Sequence, residues 1–392
     1  MTDVVITAAA RTAIGSYGKS LAGVPPTALG RAATSAALER SGIEPGDVEH
    51  VVFGNVIHTE PRDAYCARIV AIESGIPKEV PAFTVNRLCG SGAQAIVSAC
   101  QTIQTGEART AVAGGCESMS RAPMWLPSAR WGSKMGATPV LDPVQGALSD
   151  PFDGEKMGVT AERLAERMTI TREQQDEFAV ESHRRAVAAQ EAGRFDDEIV
   201  PVEVRAGRET VIFARDEHVR PDVDLAAMAK LPPIFRKDGT VTAGNASGMN
   251  DAGAALVLMD ARRAAEIGAP VRARILSYAS CGVDPQIMGI GPVPAVRRAL
   301  DRAGVTLDQV GVIELNEAFA AQALAVIGEL ELDPAKVNPN GGAVALGHPI
   351  GATGAAITTK CIAEMERGGH DYGIVTLCIG GGQGIAILLG RA

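Results

Sequence analysis

The chain has 392 residues, 46% hydrophobic, 21% charged and only 4% aromatic, with a net charge of −9. Such a length exceeds one typical domain and supports two or three units, each with its own core. The negative balance argues against a general nucleic-acid binder, and abundant glycine with few aromatics suits tightly packed α/β layers.

In the first third, short apolar runs bounded by Gly, Pro or charge predict strands at Val4–Ala9, His50–Val56, Val80–Val85 and Thr110–Ala113. Helices are predicted between them at Thr27–Ser41, Ala64–Glu73 and Gly90–Thr105, with Thr27 as a cap and Gly42 past the end of the first. The middle third, roughly Glu117 to Met249, breaks the alternation. It carries Trp125, Trp131 and many Pro and Gly, and one strong helix from Thr171 to Gly193 opened by a Thr171/Gln174 capping box. That helix reads as a polar, partly exposed lid in a long insertion, where substrate binding is often placed. Strand-like Ala254–Met259 then returns to the first sheet.

The last third repeats the alternation, with strands at Arg272–Cys281, Gly311–Leu315, Gly373–Cys378 and Gly384–Leu389 and helices at Pro294–Ala303, Glu317–Glu329 and Gly351–Glu366. Both outer thirds share an order of parts: a strand ending in Asn55 or Asn316, a glycine-framed reactive residue (Cys89 or His348) opening a helix, then a strand ending in glycines (Gly114-Gly115 or Gly380-Gly381-Gly382). This inexact repeat predicts two similar α/β domains facing each other. The predicted division is 1–118 with 249–270 as the first domain, 119–248 as the inserted loop domain, and 271–392 as the last.

The seven cysteines are scattered, odd in number and lack a CxxC pair. A disulfide framework or structural zinc site is not expected, and a reducing compartment is. Strand-like Val4-Val5-Ile6 follows the start without a basic-then-apolar leader, and no apolar run is long enough to span a bilayer, so a cytoplasmic protein is expected.

Four segments carry chemistry. In Asn86-Arg87-Leu88-Cys89-Gly90-Ser91-Gly92 a cysteine sits where a strand ends and an Ala/Ser-rich helix begins. A helix N-terminus favours a thiolate, and the Cys89 N–H is a candidate oxyanion donor; a buried structural cysteine is the alternative. In Leu346-Gly347-His348-Pro349-Ile350-Gly351, His348 is the one histidine of six inside a glycine-framed turn ahead of a helix. It is a candidate base for a thiol, or a capping histidine. In Leu377-Cys378-Ile379-Gly380-Gly381-Gly382 a second cysteine ends a strand beside a glycine run, a candidate acid/base with the Gly380 N–H as donor. Glu314-Leu315-Asn316-Glu317-Ala318-Phe319 places a polar pair at a strand-to-helix junction, where Asn316 is either functional or a helix cap.

Together with Gly244-Asn245-Ala246-Ser247-Gly248, these segments resemble the thiolases in order and spacing over essentially the whole chain. The resemblance implies an α/β thiolase-like fold of two similar α/β/α/β/α-layered core domains with an inserted loop domain. It implies Cys89 as acyl-accepting nucleophile, His348 as its base, Cys378 as the base acting on the α-carbon, and Asn316 and Gly380 as parts of two oxyanion sites. The implied activity is that of an acetyl-CoA C-acyltransferase: reversible Claisen condensation and thiolysis by a ping-pong path through an acyl-Cys89 intermediate. Acetyl-CoA, 3-ketoacyl-CoA and coenzyme A are the implied partners; they are substrates, and neither a cofactor nor a metal is implied. Ala243 and Ser247 fall in the region along the pantetheine arm, and Arg220 is the candidate nucleotide contact among the basic residues of the insertion. Leu148, Met157, Met288 and Phe319 fall where the family lines its acyl pocket. Pro127–Gly136 lies where short-chain members carry a tetramer-forming loop, so a homotetramer is expected.

Bulky residues in the acyl pocket favour short substrates. Lys156 stands where biosynthetic acetoacetyl-CoA members usually carry histidine, and Cys116 where a smaller residue is common. Pro61-Arg62-Asp63, Asp216-Glu217-His218-Val219-Arg220 and Met288-Gly289-Ile290-Gly291-Pro292 resemble bacterial β-ketothiolases of broader short-chain range. A short-chain enzyme is therefore expected ahead of a degradative thiolase of longer-chain preference. A ketoacyl synthase would place histidine where Cys378 stands, and a silent coenzyme A-binding scaffold would have lost Cys89, His348 or Cys378.

Overall fold

A computed structural model describes residues 2–392. Its strands are β1 (Val4–Thr12), β2 (His50–Gly54), β3 (Ala82–Val85), β4 (Thr110–Ser118), β5 (Asn250–Asp260), β6 (Ala273–Gly282), β7 (Val312–Leu315), β8 (Tyr372–Ile379) and β9 (Gln383–Arg391). Along one mixed sheet they run β7-β8-β9-β6-β1-β5-β4-β2-β3. Antiparallel pairing of Val4–Ile6 with Ala273–Ile275 joins the two halves. The main helices are α1 (Pro26–Ser41), α2 (Cys66–Glu73), α3 (Ser91–Gln104), α4 (Met157–Met168), α5 (Arg172–Glu191), α6 (Pro292–Ala303), α7 (Ala320–Leu330) and α8 (Thr353–Gly368). No helix among the described residues is long and apolar enough to cross a membrane.

The repeat is visible in the register at one constant spacing. Val48 and Val310 each follow a short 3-10 turn, and Glu49 donates to Thr110 as Gly311 donates to Tyr372. The same spacing makes Cys116 the counterpart of Cys378 in the repeat. It also corrects the repeat as read from the sequence: Asn316 corresponds to Gly54, and Asn55 to Glu317.

Five layers result. α1 and α2 cover the outer face of the first half-sheet around Phe53, Val70 and Val257. α6 and α7 cover the second around Val296, Val326 and Leu388. Between the half-sheets lie α3 and α8, packed into one core with Ile96, Ile362, Leu256 and Leu377. Strands covered on both faces need near-continuous apolar sequence, which explains why β5 is buried from Asn250 to Met259. The α3–α8 crossing is set by glycine: a Cβ on Gly354 would stand 2.2 Å from the Ala93 nitrogen, and one on Gly92 2.7 Å from the Ala355 nitrogen.

Several boundaries differ from the sequence expectation for identifiable reasons. α1 starts at Pro26 after Pro25, so Thr27 lies inside the first turn and caps nothing; proline's fixed φ suits that position. β4 continues through Gly114 and Gly115 to Ser118, because those glycines serve a close approach and not a turn: a Cβ on Gly115 would meet the Gly351 carbonyl. α7 begins only at Ala320, with Phe319 preceding it, so Asn316 is not its cap.

Residues 119–249 lie between β4 and β5 and hold α4, α5 and the hairpin Val202–Ala206/Glu209–Phe213. α5 has the Thr171/Gln174 capping box read from the sequence. Its inner face is nevertheless tied down: Gln175, Ala179, Ser182, His183 and Ala186 are buried. The helix is polar and partly exposed as expected, and its buried face packs against the body of the protein.

Candidate active site

Cys89 lies in a 3-10 turn, Leu88–Gly90, that runs straight into α3. Leu88 is held at φ 46°, a left-handed conformation that costs a leucine on the order of 1 kcal/mol. Local hydrogen bonds hold the turn: the Asn86 side chain accepts from the Leu88 N–H at 3.0 Å, and the Ser91 hydroxyl accepts from the Arg87 N–H at 2.8 Å while donating to the Leu88 carbonyl at 2.7 Å. The strained turn presents a half-buried thiol at the start of a helix. Burial pushes this thiol up to about 11, against the pull of the Gly380 and Cys89 backbone N–H groups. Those donors point where a negative charge on sulfur or oxygen would sit.

His348 is fixed at three points. Its N–H donates to Asn250 Oδ1 at 2.9 Å, its Nδ1 lies 2.7 Å from Thr353 Oγ1, and Asn316 Nδ2 lies 3.4 Å from its Nε2. The Thr353 hydroxyl donates to the Pro349 carbonyl at 2.9 Å. Its single proton is thereby used, so it accepts from Nδ1–H, and Nε2 is left as the unprotonated nitrogen. Burial lowers the ring to about 4, so it is neutral at ordinary pH and able to take a proton at Nε2. Asn316 Oδ1 is buried with no protein partner. Its neighbour Glu317 braces the loop, accepting from Ser182 Oγ at 2.7 Å, Asn338 Nδ2 at 2.8 Å and the Val344 N–H at 3.1 Å.

Cys378 is fully buried at the end of β8, its thiol pushed up by burial and by the proximity of Cys89. It belongs to one apolar cluster with Met157, Met288 and Phe319, three of the four residues expected around the acyl group. The fourth, Leu148, packs instead in the neighbouring cluster beside Cys89, Ile57 and Ile350. Gly380 lies between them, next to the Met157 and Leu88 side chains. Lys156 turns away from these residues and donates to Ser149 Oγ at 3.1 Å.

The segment expected along the pantetheine arm joins the same region: Ala246 bridges to Phe319, and the Ser247 N–H donates to the Ala318 carbonyl at 3.0 Å. Ala243 is exposed just before it. Arg220 is exposed further along the insertion, with its backbone N–H donating to His183 Nδ1 at 3.1 Å, and among the described residues it contacts none of the catalytic candidates. Thus Cys89 meets Gly380 and Cys378, Cys378 packs with Met157, Met288 and Phe319, and Asn316 pairs with His348, whereas Arg220 stands apart.

Sequence reasoning missed Thr353, Asn250 and Glu117. Thr353 lies in the glycine-rich segment that carries His348, so its reach to Nδ1 was accessible by spacing. Asn250 and Glu117 act on residues distant in the chain, and no local signal announces them.

The Thiolase, N-terminal domain family matches residues 4–262, and the Thiolase, C-terminal domain family matches residues 269–391. The chain is 56% identical to beta-ketothiolase BktB of Cupriavidus necator, over 99% of each chain. It is 52% identical to an acetyl-CoA acetyltransferase of Pseudomonas aeruginosa over 100% of each. Among solved structures, the acetyl-CoA acetyltransferase of Bacillus anthracis superposes with a TM-score of 0.98 at 47% identity, covering 100% of this chain and 99% of that one. Human mitochondrial 3-ketoacyl-CoA thiolase in complex with CoA superposes at 0.96 and 44% identity, covering 100% and 98%. Matched from end to end by sequence and fold, the chain belongs to the thiolase family.

Proposed function

We propose that the protein is a short-chain acetyl-CoA C-acyltransferase that interconverts acetyl-CoA and 3-ketoacyl-CoA through an acyl group on Cys89. The observation that carries this reading is the proximity of the Cys89 thiol to the Gly380 N–H and to Cys378, which packs with Met157, Met288 and Phe319, together with a buried, neutral His348 paired with Asn316. His348 Nε2 takes the Cys89 proton as sulfur attacks the thioester carbonyl; the carbonyl oxygen gains charge beside the Cys89 and Gly380 N–H groups, and coenzyme A leaves as a thiolate that takes the proton of the Cys378 thiol, which leaves Cys378 as the thiolate base for the next step. Acetyl-CoA then binds, and Cys378 removes a proton from its α-carbon. The enolate oxygen lies towards His348 and a water held by Asn316, whose unpartnered Oδ1 fits that role. The carbanion attacks the acyl carbon, and Cys89 leaves as a thiolate that takes its proton back from His348; thiolysis is the reverse path. Electrostatics from fixed donors suffice for this chemistry, so the reading includes no metal and no organic cofactor.

Short-chain preference follows from Met157, Met288 and Phe319, which close the pocket around Cys378. Exposed Trp125, Leu126, Trp131 and Met135 on the inserted loop support a homotetramer, since so large an apolar patch is costly in water. Seven free cysteines fit a reducing, cytoplasmic setting and a place in lipid metabolism follows from the reaction. Arg220, Ala243 and Ser247 are assigned to the coenzyme A arm.

The test is thiolysis of 3-ketoacyl-CoA substrates of increasing length with free coenzyme A. A sharp fall beyond four or five carbons is expected. A flat or rising profile would assign the protein to longer-chain degradation, and no activity on any length would leave only coenzyme A binding.

A further inference from the structure

Glu117 is buried near the end of β4, and four donors face its carboxyl group. Oε1 accepts from the Ile57 N–H at 3.1 Å and, more weakly, from Asn55 Nδ2 at 3.4 Å. Oε2 accepts from the Val56 N–H at 3.2 Å and the Gly351 N–H at 2.9 Å. The first three donors belong to the loop after β2, and the fourth belongs to the turn that carries His348 in the other half of the molecule. Ile57, itself one of these donors, and Ile350, next to Gly351, pack in the cluster that includes Cys89.

We infer that Glu117 is a positioning residue for acyl transfer: its carboxylate clamps the Asn55–Ile57 loop beside Cys89 to the Gly351 turn, and so sets where His348 stands relative to the nucleophile. A protonated carboxyl would leave its O–H without an acceptor among these contacts, since every facing group is a donor. Burial pushes the group up to about 8 while the Ile57, Val56 and Gly351 N–H groups oppose that rise, so the charged clamp is fully formed above that pH. A carboxylate kept in such a place is costly, and the cost is offset by a cross-half tie that no neutral side chain of this length provides. The fit is close, because a Cβ on Gly351 would stand 2.6 Å from Glu117 Oε2. Glu117 touches neither substrate nor reacting atom in this scheme and acts only through the two loops.

This inference rests on the acyl-Cys89 reading, so wild-type protein run in parallel separates the two: no acetylation of wild type would fail that reading first. The experiment is single-turnover acetylation of Cys89 by acetyl-CoA in Glu117→Gln, followed by quenching and peptide mass measurement, with steady-state kcat and KM alongside. Glutamine keeps one acceptor and turns an amide N–H₂ towards two N–H donors. Acetylation and kcat should fall roughly 10- to 100-fold with KM changed less than about threefold, as expected for a small misplacement of reacting groups. Acetylation within about twofold of wild type, or a loss matched by equal loss of coenzyme A binding and of the folded state, would overturn the assignment. Should Glu117→Gln not fold, Asn55→Ser decides. It removes one donor and should slow acetylation with coenzyme A binding unchanged; an unchanged rate would overturn the clamp.

Discussion

Thr353 fixes the tautomer of His348. Its hydroxyl lies 2.7 Å from Nδ1 and is committed as a donor to the Pro349 carbonyl, so the imidazole carries its hydrogen on Nδ1 and presents Nε2 as a base. Replacing Thr353 by valine keeps the shape and removes the acceptor. We expect kcat to fall about tenfold or more with KM little changed, since a hydrogen bond of this kind is worth about 1 kcal/mol or somewhat more. Thr353→Ser should restore most of the rate, and steady-state kinetics of the three proteins checks both statements.

Acid should destabilise the fold through the same histidine. The unfolded imidazole binds a proton near its ordinary 6.5 and the folded one only near 4, so the unfolded state holds more protons in that window. The contribution, on the order of 3 kcal/mol, is present above pH 6.5 and is lost as pH falls to about 4. Denaturant midpoints measured across that range should slope less in His348→Asn than in wild type; equal slopes would remove the assignment. His183 and His218, both lowered to about 4 chiefly by burial, add to the wild-type slope and remain in the variant.

The α3–α8 crossing is intolerant of a methyl group. In Gly354→Ala the added Cβ meets the Ala93 nitrogen at 2.2 Å, backbone that cannot step aside cheaply. A loss of roughly 1–3 kcal/mol is expected from chemical denaturation.

Chain-length preference should move with Met288, which packs with Met157, Phe319 and Cys378. Met288→Ala should raise kcat/KM for longer 3-ketoacyl-CoA relative to the four-carbon substrate, by about 1–3 kcal/mol of discrimination per methylene accommodated. A cost in stability of about 2–5 kcal/mol accompanies the cavity, and thiolysis rates at two chain lengths decide the point.

Much of this was legible in the sequence because the chemistry is built from local segments. A cysteine at a helix start, a histidine in a glycine turn and a second cysteine at a strand end are each readable from a few neighbours. The strand-by-strand repeat was also legible, but its register was not. Asn55 and Asn316 look equivalent as strand-ending asparagines, while the spacing of the repeat aligns Asn55 with Glu317. Pairing across a sheet is decided by partners far away in the chain, which a local pattern does not contain. The same reason hid Asn250, which holds the His348 backbone across the two halves, and Glu117. α5 is polar and partly exposed as read, with Glu173, Gln174, Glu177 and Arg184 facing water, but its buried face, including Ser182 donating to Glu317, was not legible from the pattern.

The central claim is that Cys89 carries the acyl group while Cys378 moves the α-proton. Its most direct test is to mix Cys378→Ser with acetyl-CoA, quench, and locate the modification by peptide mass. One acetyl group should accumulate on Cys89 while condensation to the 3-ketoacyl product is blocked. Acetylation elsewhere, or normal condensation in this variant, would contradict the assignment of the two cysteines.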